Sequence, residues 1–218
     1  MYRISNPFLR FAVILLCSIT IPHTLIAHDG FGLSTRINLA HAWSNEFKTI
    51  FSEELRGEMD FSRIGWSQSM IDVSYQTSPV IKLGSKYALT VTYGEQHTVK
   101  HKVSLYAIRA YQFGVLNLDL RERPQASFSS ESEMGLVLRN RIKLSLDLDS
   151  KYIPFIYAES FNDVKNGFRS DKIRLAAGSN IEVDTNDILR LYIRYHIFNS
   201  TEATNYTDHI GIILTHIF

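Results

Sequence analysis

The chain has 218 residues, 45% of them hydrophobic and 12% aromatic, with a formal net charge of +1. That length suits a single domain, and the near-neutral charge gives no reason to expect nucleic acid or another polyanion as a partner. Five prolines, with no Pro-rich or Gly/Ser-rich tract, exclude a flexible linker or a disordered segment.

Residues 1–27 read as a signal peptide. Arg3 and Arg10 make a positive start, Phe11–Ile21 is a short apolar core, and Pro22 breaks it before a small residue, Ala27, at the cleavage position. The apolar run falls short of the roughly 20 residues a spanning helix needs, which argues against an uncleaved anchor. Cys17, the one cysteine, lies inside that core, so the exported chain 28–218 has neither a disulfide nor a thiolate metal site.

Beyond the leader, no segment keeps a helical period, and stretches of alternating polarity follow one another instead. Leu33–Trp43 is a loosely patterned strand. In Thr49–Phe61, Phe51, Leu55 and Met59 oppose Ser52, Glu54 and Arg56. Trp66–Thr77 is again loose, and Lys86–Gln96 puts Tyr87, Leu89, Val91 and Tyr93 on one face. After Lys102–Tyr111, the segment Val115–Arg123 sets Leu116, Leu118 and Leu120 against Asp119, Arg121 and Arg123. Met134–Asp149 opposes five leucines and Ile142 to Arg139, Arg141, Lys143 and Asp147. Tyr152–Phe161 follows, then Ser170–Val183 with Lys172 and Arg174 opposite Ile173 and Leu175. Asp187–Asn199 alternates most cleanly, Leu189 to Ile197 against Arg190, Tyr192, Arg194 and His196, and Tyr206–Phe218 closes the chain.

This repeated alternation predicts an all-β, antiparallel up-and-down transmembrane β-barrel of about 10–12 strands. A β-sandwich also alternates, but its exterior would not concentrate charge along whole strand faces. The apolar faces also carry aromatics near strand ends (Trp43, Trp66, Tyr87, Tyr93, Phe161, Phe198), where a membrane interface favours them. Tight connections are expected at 83–85, 112–114, 149–151 and 184–186, and longer ones at 124–133, 162–169 and 199–205. Tracing back from Phe218, every tight turn falls at the periplasmic end. The segments number about eleven, whereas bacterial barrels favour even counts. Either Leu33–Trp43 is not a full barrel strand, which gives ten, or a further strand lies near Pro79–Lys82, which gives twelve; twelve is preferred.

The succession Arg121-Glu122-Arg123, Arg139-x-Arg141, Tyr157-x-Glu159-x-Phe161 and Arg174, with the closing Gly211–Phe218 segment, resembles the exported proteins of domain-of-unknown-function family 2490. The resemblance runs from about Trp43 to the end and implies an outer-membrane barrel of no settled activity. Phe218 holds the terminal aromatic position that barrel-assembly machinery reads, but His216 stands where a second aromatic is usual.

One constellation stands out on the inward face: Arg121, Arg123, Arg139, Arg141, Glu159 and Arg174 on four consecutive strands, with Arg190 and Arg194 lower on the next. Two readings are open. The arginines could form a structural ladder with Glu159, Asp119, Asp147 and Glu182, filling a narrow interior. Alternatively, their surplus could make the lumen select small anionic solutes, since a guanidinium grips carboxylate or phosphate through two hydrogen bonds. His97 and His101 share a strand face but lack a third ligand of convincing spacing, so no metal and no cofactor is expected. His196 with Ser179 can be drawn as a hydrolase pair, yet no catalytic motif supports it, and the chain is not expected to be an enzyme. The reading is an outer-membrane protein exported through the Sec pathway, porin-like or structural, with lipid, the assembly machinery and anionic solutes as partners. A lipid-modifying barrel enzyme and a periplasmic β-sandwich binding module are the alternatives.

Overall fold

A computed structural model describes residues 31–58, 63–94, 97–130, 133–148, 150–198 and 208–218; the signal peptide expected at 1–27 lies outside the described residues. Eleven strands follow in chain order: β1 (Phe31–Ala42), β2 (Phe47–Glu58), β3 (Arg63–Ser78), β4 (Ile81–Thr92), β5 (Thr98–Phe113), β6 (Leu116–Ser129), β7 (Gly135–Leu146), β8 (Tyr152–Asp163), β9 (Arg169–Glu182), β10 (Asp187–Phe198) and β11 (Asp208–Ile217). Each pairs antiparallel with its neighbours in sequence, and the sheet closes on itself.

The count of eleven falls within the expected 10–12 and is neither of the even numbers, ten or twelve. Strands that alternate in direction leave the first and last of an odd set pointing the same way, so their seam is parallel. β1 and β11 pair in this manner from Phe31↔Asp208 to Ala40↔Ile217. The loosely patterned Leu33–Trp43 is thus a full barrel strand. Residues 79–80 are a two-residue turn, and β4 begins at Ile81 without an additional strand before it.

Two punctuation signals were misread. The expected turn at 83–85 lies inside β4, because Gly84 serves close packing: a Cβ there would overlap the Tyr106 ring. Pro124, expected to open a long loop, sits within β6, paired with Leu138 of β7. On its other side, the β5–β6 ladder skips Arg123 and Pro124, as a residue without an N–H requires. Because β6 runs on to Ser129 and β7 begins at Gly135, only five residues separate these strands, and the connection 164–168 is likewise five residues long. The expected loop at 199–205 lies outside the described residues.

The pleat sorts side chains to two faces. Outward, Leu55, Ile71, Val103, Leu105, Ile142, Ile156 and Ile193 are exposed in a continuous apolar wall. Phe47, Tyr75, Tyr111, Phe113 and Tyr152 ring it at the end that holds Phe218; Tyr93, Phe128 and Tyr195 lie towards the other. A band of apolar side chains between aromatic girdles is what bilayer hydrocarbon requires of a barrel. Hydrogen bonding that closes around the sheet leaves no edge to satisfy there. Glu122 interrupts the wall, exposed between the inward Arg121 and Arg123.

Inside, a small apolar plate of Phe155, Tyr192 and Ile213, with Tyr157 packed against it, occupies one side of the lumen. Gly178 and Gly211 make room for Tyr192: a Cβ on either would overlap that residue.

Candidate functional site

Inward positions of successive strands build one polar cavity of about 360 Å³. All eight residues singled out in the sequence line it: Arg121 and Arg123 from β6, Arg139 and Arg141 from β7, Glu159 from β8, Arg174 from β9, and Arg190 and Arg194 from β10. Register explains the convergence. Arg121 faces Arg141, Arg141 faces Glu159, Glu159 faces Arg174, and Arg174 faces His196, so one rung crosses five strands.

Glu159 is the hub of that rung, with its side chain only 2% exposed. Arg121 donates to its Oε1 at 2.6 Å, and Arg139 donates to both oxygens at 2.8–3.1 Å. Arg174 reaches Oε2 at 3.2 Å and turns its Nε to His196 Nε2 at 2.9 Å. His196 lies edge-on to His209 of β11, ring centroids 5.7 Å apart.

A second hub escaped the sequence reading. Glu54 of β2 is fully buried and accepts from Ser34 at 2.9 Å, from Arg56 and from Arg36. The residue was visible in its strand pattern, but Arg36 sits on a loosely alternating strand, which hides both its inward face and its register opposite Glu54. Asp147 and Glu182, expected as arginine partners, are instead exposed beside the turns, and Asp119 meets Lys143 at 3.5 Å. An acid at a strand end reaches water more cheaply than it reaches a lumen arginine.

Aromatic positions are corrected as well. Trp66 and Phe161 face the lumen, not lipid. Arg56 lies 4.1 Å over Trp66, and Arg139, Lys172 and Arg174 surround Phe161 at 4.2, 4.3 and 4.8 Å. The negative ring face attracts a guanidinium or ammonium and offsets part of the repulsion among crowded cations, which rewards turning these rings inward. Phe198 follows the same inward register two residues after His196, and Lys172 lies 5.6 Å from its ring.

Beyond the eight, the cavity wall includes Arg36, Arg56, Lys86, Lys102 and Lys172, so twelve basic side chains face a single lining carboxylate, Glu159. Glu54, Asp72 (3.4 Å from Lys86) and Asp119 (3.5 Å from Lys143) face inward outside that lining, so that with Lys143 thirteen basic groups meet four acids. The surplus of positive charge on this wall is large.

The other candidates separate. His101 pairs with the Tyr87 hydroxyl at 2.8 Å on the outer face, and His97 stacks edge-on against Tyr93. Among the described residues no group of three His, Cys, Asp or Glu could hold a metal. Ser179 and His196 do not meet: Gly178 and Asn180 carry the inward register of β9, which turns Ser179 outward, while His196 is buried against Arg174.

No curated protein matches the sequence. Matching solved structures include a KdgM porin in complex with disordered oligogalacturonate, at 14% identity and TM-score 0.47, covering 77% of this chain and 91% of that one. Another is an anion-selective porin from Comamonas acidovorans, at 12% identity and TM-score 0.40; it covers 79% of this chain, which spans 56% of that porin. With a match across residues 31–207, the chain belongs to the family described as protein of unknown function, DUF2490.

Proposed function

We propose that this barrel is an outer-membrane channel of porin type whose lumen favours small anionic solutes. The observation that carries the reading is the charge of the cavity wall, twelve basic side chains around one lining carboxylate. Buried unpaired charge is costly, so a merely structural ladder would match arginines to acids one for one. The apolar outer wall and its two aromatic girdles support residence in a bilayer. On this reading residues 1–27 direct export and are removed, Phe218 and its strand are read by the assembly machinery, and lipid and anionic solutes are the partners.

Planar-bilayer recording on the refolded protein tests it. The expected result is conductance with a reversal potential that marks preference for chloride over potassium, reduced by Arg139→Gln together with Arg141→Gln. A silent bilayer would leave the barrel structural, and conductance without preference would remove the role given to the arginines.

A further inference from the structure

Four guanidinium groups stand at the corners of a patch on β6 and β7. Arg121 lies opposite Arg141, and Arg123 lies opposite Arg139. Like charges directly across a ladder repel, so the patch needs anions between its corners. Glu159 supplies one: it binds Arg121 and Arg139, which form one diagonal. Among the described residues the other diagonal, Arg123 and Arg141, makes no ion pair, although Arg141 stands opposite Glu159 in the register. Arg123 is 7% exposed, and the Nε atoms of both are buried without an acceptor. Both line the cavity.

Resting on the channel reading above, we infer that Arg123 and Arg141 form a binding site for a doubly charged tetrahedral oxyanion, phosphate either free or carried as a monoester. The chemistry follows from geometry. Diagonal neighbours on adjacent strands are about 7–8 Å apart at Cβ, within joint reach of one small ion for side chains as long as arginine. A single carboxylate is planar and satisfies one guanidinium fork, whereas phosphate offers oxygens out of plane and about two charges, enough for two forks from two strands. Lys102 on β5 and Lys172 on β9 line the same cavity, make no ion pair among the described residues, and add to the local field.

Isothermal titration of the refolded full-length barrel at pH 8, with sodium phosphate and glycerol phosphate as probes, tests the site. One saturable site is expected, and Arg123→Gln or Arg141→Gln should each weaken it by about ten- to a hundredfold, the worth of a charge-assisted hydrogen bond. Arg109→Gln, at an exposed position outside the cavity, should leave it unchanged. Binding of both probes marks a site that takes the monoester; binding of phosphate alone marks one for the free ion. Absence of saturable binding, or equal affinity in the double variant, overturns the inference. Should a variant fail to show heat-modifiable migration, wild-type competition decides: displacement by sulfate but not acetate supports the site, and equal displacement by acetate overturns it. The two readings fail separately. An anion-selective wild type without a phosphate site removes only this inference, and a silent bilayer with saturable phosphate binding removes only the channel.

Discussion

Replacing Glu159 by Gln should lower stability and raise anion preference together. The carboxylate receives five hydrogen bonds from three arginines whose side chains are 11–15% exposed. Glutamine retains one acceptor oxygen but no charge, so Arg121, Arg139 and Arg174 become mutually repelling neighbours. Removing one partner of a buried ion pair costs about 3–5 kcal/mol, and lumen water repays part of that, which sets the expected loss near 3 kcal/mol. That corresponds to about a hundredfold in the ratio of folded to unfolded protein. Urea unfolding of the protein refolded into lipid vesicles, followed by tryptophan fluorescence, measures it. Adding Arg139→Gln in the Glu159→Gln background should cost less than Arg139→Gln alone, because the two residues are coupled. In bilayers the same Glu159→Gln protein should show a reversal potential shifted further towards anions, since the one lining acid is gone. A loss under about 0.5 kcal/mol, the ordinary range of surface substitutions, would refute the hub. A selectivity shifted towards cations would refute the electrostatic account of the lumen.

Glu122→Leu tests the outer wall: a charge facing hydrocarbon destabilises a barrel, so this change should stabilise the vesicle-bound protein by about 1 kcal/mol, and a neutral result would place that face in water. Tyr192→Ala removes the largest member of the apolar plate in the lumen, so single-channel conductance should rise; unchanged conductance would mean the plate does not limit the path. Deleting Phe218, whose backbone N–H bonds the Ala40 carbonyl at 2.9 Å and whose ring is exposed, should lower the amount of heat-modifiable barrel recovered from membranes. Full recovery would show that the terminal aromatic is not read.

Face assignment was legible because a strand obliges alternate residues to opposite sides, whatever their partners. The inward arginines from Arg121 to Arg194 therefore emerged from single strands, and the run Leu189–Ile197 places itself. Punctuation was less legible. Gly84 and Pro124 carry turn chemistry, yet one makes room for the Tyr106 ring and the other occupies a gap in a ladder. Trp66 and Phe161 were misplaced because an aromatic residue suits a lipid interface or the face of a guanidinium equally well.

What the sequence by itself determined is local: all-β architecture, the charged inner face and the apolar outer one, since both depend only on the period of two. What the tertiary structure alone decided is closure and pairing. Eleven strands force a parallel β1–β11 seam, and the β1–β2 register sets Arg36 opposite Glu54 with Ser34 in reach of it. Register selects which diagonal of the β6–β7 patch Glu159 neutralises and leaves Arg123 and Arg141 open. Those are relations between residues distant in the chain, and alternation within a strand has no means of encoding them.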